Sequence, residues 1–147
     1  DIISSLLTYG VDNNKIYNNV YNSNEISKLK LLSVALKNLE LIIDKKTALM
    51  HICQNDLIKN NYKKGDSEGI VNYGLTLSGI QFSVIFIEDE NEKNKFKISF
   101  RSKEDFPCNE FASIFFDGGG HLNAAGGIFI GNLNSAIEYF KKSLNEF

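Results

Sequence analysis

Residues 116–127 read Phe116-Asp117-Gly118-Gly119-Gly120-His121-Leu122-Asn123-Ala124-Ala125-Gly126-Gly127. Glycine has no side chain to bury, and ordering three glycines in a row is entropically costly. Such a run is tolerated where the backbone needs a positive φ or where another molecule approaches it closely. The stretch therefore predicts the wall of a binding pocket. A tight connection in which His121 caps a helix is the alternative.

The same stretch suggests how a ligand is held. Successive N–H groups of a glycine turn can converge on an anion. Residues 122–125 are predicted to form one short helical turn, whose positive end would face the same space. His121 lies at the junction, where its ring can hydrogen-bond to a phosphate, a ribose hydroxyl or a base edge.

Composition limits the class of protein. The 147 residues, 43% of them hydrophobic and 12% aromatic, predict one domain with a substantial core. No apolar run approaches the about 18 residues that suggest a membrane span. The net charge of −2 argues against a general coat for nucleic acid, so an anionic ligand needs a local site. The sequence begins at Asp1 in what reads as a helix, and we expect a fragment of a longer protein.

The cysteines and histidines give little indication of a metal site. Cys53 and Cys108 lie far apart in sequence, and we expect two reduced, packed thiols, as in a cytoplasmic protein. Together with His51 and His121 they match no known spacing of zinc ligands.

The distribution of basic residues is more informative. Fifteen of the 16 basic residues are Lys, and Arg101 is the only Arg. Arginine offers a planar fork that binds a phosphate or carboxylate in a bidentate manner, which lysine cannot do. We therefore expect Arg101 to bind an anion.

Hydrophobic periodicity predicts interleaved helices and strands, which is an α/β fold. Strands are expected at 39–43, 47–52, 80–87, 95–101 and 127–131. A first helix is expected to end at Gly10, and a capping box of Asn22 and Glu25 is expected to open a later one. The other helices are expected to begin at Asp12, at Asn55 or Asp56, at Asp66 or Ser67, after Pro107, and at Asn132. Alternation along 95–101 places Arg101 at a strand end on the polar face.

Two segments together carry a family resemblance. Lys97-Ile98-Ser99-Phe100-Arg101-Ser102, followed by a helix and then by Gly118-Gly119-Gly120-His121-Leu122-Asn123-Ala124-Ala125-Gly126, resembles the DHHA1 domain of the DHH phosphoesterases. Residues 66–73 and the strand up to Glu88 resemble the intervening segments of that family. The most similar branch is NrnA-like, the bacterial oligoribonucleases that also act on 3′-phosphoadenosine 5′-phosphate (pAp).

The resemblance implies a fold and a division of the chain. The fold would be a DHHA1-like mixed β-sheet with flanking helices, preceded by a helical connector. Residues 1–38 would be the last helices of a preceding DHH domain and the connector, and residues 39–147 the substrate-binding domain.

The resemblance also implies the site. It places no catalytic residue in this chain, because the Asp and His cluster that binds two divalent ions, usually manganese, belongs to the preceding domain. Asp117 departs from the family, which often has a fourth glycine there, and its carboxylate would either weaken phosphate binding or point outward. The residues implied to bind phosphate or substrate are Arg101, Ser102, Gly118, Gly119, Gly120, His121, Asn123, Ala124 and Gly126.

The implied partners are a short RNA or a pAp-like nucleotide, the preceding DHH domain, and a second copy in a homodimer; no membrane is implied. Three alternatives remain open. Cyclic di-AMP phosphodiesterases and RecJ-type exonucleases share the domain. The DHHA1 domain of alanyl-tRNA synthetase contributes RNA contact and dimerisation instead, for which Leu29, Leu32, Leu36 and Leu39 would supply the association surface.

Overall fold

The computed structural model describes residues 9–10, 12–21 and 24–147, and one six-stranded sheet organises them. The strand order is β1-β2-β3-β4-β6-β5. Only β2 and β3 pair in parallel among these neighbours. The strands are β1 Glu40–Ile42, β2 Thr47–Ile52, β3 Phe82–Glu88, β4 Lys95–Ser102, β5 Gly119–His121 and β6 Ala124–Ile130.

Six α-helices accompany the sheet in the described part of the chain. They are α1 Asn13–Tyr21, α2 Ile26–Lys37, α3 Gln54–Lys59, α4 Asn72–Leu75, α5 Cys108–Phe115 and α6 Leu133–Glu146. A 3₁₀ turn, Ile43–Lys45, joins β1 to β2. None of the described helices has the length and apolar character needed to cross a membrane.

One face of the sheet is packed with phenylalanine. The period of two along β4 buries Phe96, Ile98 and Phe100 on this face. Helices α5 and α6 cover it with Phe111 and Phe140. Burial of large apolar side chains on both sides of this layer is the main stabilising term of the fold.

The opposite face is covered over only part of its width. Helices α2 and α3, together with Ile70 and Val71 of the turns before α4, pack over β2 and β3 through a second apolar cluster. This cluster contains no residue of β5 or β6 among those described. Helix α4 approaches so closely that a Cβ on Gly74 would meet Ser83 Oγ at 2.2 Å. Beyond β4 the sheet is uncovered, and Ile128 and Ile130 of β6 are 39% and 74% exposed. Arg101 and His121, two residues predicted to bind a ligand, lie on this uncovered half.

The main sequence predictions of the fold are confirmed. The chain forms the expected mixed sheet with flanking helices. Asp12 caps α1, because its Oδ1 accepts from the N–H groups of Asn14 and Lys15. Asn132 caps α6 in the same way by accepting from Ser135 N at 2.9 Å. The division at residue 38 stays a prediction.

Three predicted helix starts are wrong or incomplete. Helix α3 begins at Gln54 instead of after Asn55 or Asp56, because Glu88 on β3 supplies the cap from across the sheet. Residues 64–71 form turns. Asp66 Oδ2 accepts from Lys63 N, behind it in the chain, and no helix begins there or at Ser67. Glu25 makes no side-chain cap, and its expected partner Asn22 lies outside the described residues, as does the helix expected before residue 9.

Both cysteines are free thiols, as predicted. Cys108 is fully buried, and Cys53 is partly buried. Burial raises the pKa of both thiols above its ordinary value. Burial therefore favours the protonated form of both thiols.

Candidate functional site

The glycine-rich stretch forms an edge hairpin, which corrects the prediction of a helical turn at 122–125. Strand β5 pairs antiparallel with β6 from Gly119 to His121, and Leu122 and Asn123 form the turn. The segment forms a strand pair instead of a helical turn because Gly118 and Gly120, which have no side chains, let its backbone contact the backbone of β6. A Cβ on Gly118 would lie 2.0 Å from Gly126 O, and one on Gly120 would lie 2.4 Å from Ala124 O.

The hairpin also changes how an anion can be held. No helix begins at this point, so no helix dipole faces the site. The Gly118 amide donates to Ala112 O and is not free for a ligand. Strand β5 is the edge of the sheet, and its outward-facing backbone groups remain available.

The register brings the predicted residues together on the uncovered face. Arg101 is opposite Ala124, and Ala124 is opposite His121. Two residues further along the strands, Ser99 is opposite Gly126, and Gly126 is opposite Gly119. We call the surface made by these two rows of residues the open sheet surface. With neighbouring strands about 4.8 Å apart, the backbones of Arg101 and His121 are separated by about 10 Å.

Arg101 is the cationic group of this surface. Its side chain is half-buried, and its Nη1 donates to Phe100 O at 2.8 Å. That bond fixes one edge of the guanidinium, which carries five N–H donors. Within the described residues, no carboxylate lies within 4.0 Å of it and no other hydrogen bond engages it. The remaining donors can therefore bind an anion.

Gly119 and Gly126 form a floor without side chains. A Cβ on Gly119 would have no atom within 4 Å, and one on Gly126 would make only an ordinary contact, at 3.4 Å, with Ile98 O. Neither residue has a positive φ. The fold itself therefore does not require glycine at either position, whereas the close approach of a ligand to the backbone would.

Two predicted ligands, Ser102 and Asn123, lie elsewhere. Ser102 is 7% exposed, and its hydroxyl donates to Phe106 O at 2.7 Å. It also accepts from Asn123 Nδ2, which bonds in addition to Glu104 O. This network holds the hairpin turn against residues 102–106. In the structure the side chains of Ser102 and Asn123 both help to fix the position of the hairpin.

Asp117 occupies the position where the family often has a fourth glycine. Its φ is +47°, in the left-handed region where glycine is favoured and Asp is tolerated better than most residues. Its side chain is exposed. The backbone conformation explains the family preference for glycine here without reference to a ligand.

Sequence reasoning did not select Ser99 as a site residue. Ser99 lies in the same row as Gly119 and Gly126 and two residues before Arg101, so it faces the open sheet surface. The alternation along β4 already placed Ser99 and Arg101 on one face, and that was the available signal.

The described residues do not fit a metal centre. Across residues 9–10, 12–21 and 24–147, no three His, Cys, Asp or Glu side chains lie together as ion ligands. His51 and His121 lie in different strands, at β2 and at the β5 edge.

Comparison with known proteins identifies the family. Residues 44–147 match the family model of the DHHA1 domain. The chain therefore belongs to the DHHA1 domain family, as the sequence motifs predicted. Among curated protein sequences, none matches the chain.

Two solved structures are similar to it. An exopolyphosphatase-related protein from Bacteroides fragilis is 42% identical, with a TM-score of 0.93, over 99% of this chain and 42% of that chain. The pGpG-specific phosphodiesterase PggH from Vibrio cholerae is 12% identical, with a TM-score of 0.56, over 82% of this chain and 38% of that chain, and shows the fold alone. The chain thus spans less than half the length of either protein.

Proposed function

We propose that this chain is the substrate-binding part of a DHH-type phosphoesterase of the NrnA-like kind. Its open sheet surface would hold a phosphate of a short oligoribonucleotide or of pAp. Residues 39–147 would form the substrate domain, and residues 1–38 the connection to a preceding DHH domain. Family membership and the likeness to the exopolyphosphatase-related protein support the phosphoesterase class.

The observation that carries the proposal is that backbone without side chains lies next to an arginine whose N–H donors are not all used. Gly119 and Gly126 leave the backbone accessible where the fold does not need it to be. Arg101, in the neighbouring row of the same face, has N–H donors without a partner among the described residues. A phosphate lying on the glycines would accept hydrogen bonds from the guanidinium and from His121.

The role of these residues would be positioning and charge neutralisation. A phosphoryl group held by fixed donors reaches the transition state without reorganisation of the site. Hydrolysis would require the metal centre that we propose for the preceding domain, usually manganese in this family, since the described residues of this chain do not form one. A cytoplasmic location is part of the same proposal.

The outer side of α2 favours the alternative of an association module. Ile26, Leu29 and Leu36 are 68%, 51% and 43% exposed. Leu32 and Leu39, which were also expected on the association surface, pack instead against the inner apolar cluster. An apolar helix face of this kind suits a homodimer or the preceding domain. Sedimentation that gives a monomer at every concentration would argue against the homodimer.

Binding of pAp to Arg101 variants tests the proposal. Arg101→Ala should weaken binding roughly 10- to 150-fold, the equivalent of about 1.5–3 kcal/mol for hydrogen bonds to a charged group. Arg101→Lys should recover only part of this loss, because the bidentate geometry is absent. The readout is NMR titration of the labelled chain, which detects weak binding.

Lys103→Ala is the matched control. Lys103 is exposed, lies just beyond the end of the same strand, and carries the same charge. If long-range charge alone attracts the ligand, Lys103→Ala and Arg101→Ala will weaken binding equally, and the specific role of Arg101 will be wrong.

A further inference from the structure

A cavity of about 190 Å³ lies beside the open sheet surface, where the covering layer of α3 and the following turns ends. Ser99 belongs to both the open sheet surface and this cavity. We call the cavity the Tyr62 pocket. It is lined by Leu57, Tyr62, Ser67, Ile87, Lys97 and Ser99, with Glu88, Asp89 and Glu90 at its acidic side.

The size of the Tyr62 pocket fits part of a ligand. Sites for drug-sized molecules measure roughly 300–1,000 Å³. A cavity of about 190 Å³ therefore suits one planar ring system instead of a whole nucleotide. Leu57 and Ile87 give it an apolar base, and Tyr62 is an aromatic residue of the kind on which nucleobases stack.

The charges of the pocket argue against a second phosphate. Three carboxylates and one ammonium group line it. Lys97 is already paired with Asp89, with Nζ 2.7 Å from Oδ2. Glu88 is fixed by the N–H groups of Gln54 and Asn94. A phosphate in the pocket would meet uncompensated negative charge, whereas an uncharged base would not.

The polar groups of the pocket suit a base edge. The hydroxyls of Ser67 and Ser99 take part in no hydrogen bond with other described residues. A hydroxyl can donate and accept, so either serine can bond to ring nitrogens or exocyclic groups. Specific recognition of RNA uses this combination of aromatic stacking and hydrogen bonds to base edges.

The spacing joins the two sites. Ser99 and Arg101 are two residues apart on one face of β4, which is about 7 Å along a strand. One ribose can bridge a phosphate at Arg101 and a base beyond Ser99. We propose that the Tyr62 pocket receives the nucleobase of the nucleotide whose phosphate lies on the open sheet surface. This inference rests on the proposed function and makes the ligand a nucleotide instead of a polyphosphate.

The test compares AMP with ribose 5-phosphate, which differ by the base, in NMR titrations of the labelled chain. The wild-type chain should bind AMP roughly tenfold or more tightly, as expected for one base stacked on an aromatic side chain. Tyr62→Ala should remove this preference and leave the affinity for ribose 5-phosphate unchanged. Tyr62→Phe should retain it. Tyr73→Ala is the matched control, because Tyr73 is 47% exposed on α4 and does not line the pocket.

Each other outcome has one meaning. Equal affinity of the wild-type chain for the two ligands would overturn the base pocket while leaving the phosphate site intact. Loss of both ligands in Tyr62→Ala, repeated in the apolar variant Tyr62→Leu, would show a structural role for Tyr62 and overturn the inference. If neither ligand binds the wild-type chain, the proposed function fails and this inference fails with it.

Discussion

At the scale of single residues, the glycines of the edge hairpin have different physical reasons to be glycine. Gly118 and Gly120 are required by the fold, since a Cβ would overlap the β6 backbone. Gly127 is required as well, because a Cβ would lie 2.8 Å from Phe116 Cβ. Gly119 meets nothing within 4 Å and has an ordinary φ. The fold therefore gives no steric reason for glycine at this position.

Alanine substitutions at the two neighbouring glycines should separate these reasons. Gly118→Ala should lower the free energy of unfolding by roughly 1–3 kcal/mol or more, because the added methyl group overpacks against Gly126 O. Gly119→Ala should change it by less than about 1 kcal/mol. In Gly119→Ala, binding of pAp should instead weaken severalfold, since the methyl group would occupy the floor of the open sheet surface.

Urea denaturation and NMR titration measure the two effects. Each variant serves as the control for the other, because they differ by one position in the same strand region. A Gly119→Ala variant that is stable and binds pAp like the wild-type chain would show that this floor contacts no ligand.

At the scale of elements, Glu88 joins three parts of the chain. It lies at the end of β3 and is 8% exposed. Its Oε2 accepts from Gln54 N at the start of α3, and its Oε1 accepts from Asn94 N in the turn before β4. It thus supplies the helix cap that no residue near α3 provides.

Removal of the Glu88 carboxylate should therefore destabilise the fold. Glu88→Ala leaves two backbone N–H groups unpaired, and we expect a loss of roughly 3–6 kcal/mol from two hydrogen bonds to a charged group. Glu88→Gln keeps one acceptor and should lose less. Glu90→Ala is the control, since its side chain is exposed. If thermal unfolding shows that Glu88→Ala and Glu90→Ala lose the same amount of stability, the capping role of Glu88 is wrong.

The elements also show which features local sequence can predict. The strands β3 and β4 and the caps Asp12 and Asn132 depend on neighbours in sequence, and their predictions were correct. The start of α3 was predicted wrongly because its cap comes from a residue 34 positions away. The hairpin at 119–124 was predicted wrongly because its pairing depends on backbone contact, which periodicity does not reveal.

The candidate site was predictable to a similar degree. Arg101 stood out by composition, and the glycines by their repetition. Their assembly on one uncovered face needed the register of β4, β6 and β5. Tyr62 and Ser67 come from a segment without periodicity, so sequence patterns gave no indication that they lie beside Ser99.

At the scale of the whole molecule, the ionisation of His51 and of Asp89 makes the free energy of unfolding depend on pH. Burial lowers the pKa of His51 below its ordinary 6.5, against the opposing charges of Asp56 and Glu40. Its Nδ1 is buried without a hydrogen-bond partner among the described residues. The Lys97 ammonium and the Asn91 N–H lower the pKa of Asp89 from 3.8 to about 2. Each group therefore binds protons more readily in the unfolded chain.

The unfolding free energy should consequently fall in two separate pH windows. As the pH falls below 6.5, the unfolded chain protonates His51 first, and stability declines towards the lowered folded-state pKa. A second decline should follow between about pH 4 and pH 2, as the Asp89 contribution is lost. Urea denaturation at a series of pH values measures both. His51→Gln should remove only the first decline, and Asp89→Asn only the second. Lys97→Met should reduce the decline between about pH 4 and pH 2 and leave the decline below pH 6.5 unchanged. A variant that alters the decline assigned to the other residue would disprove the assignment.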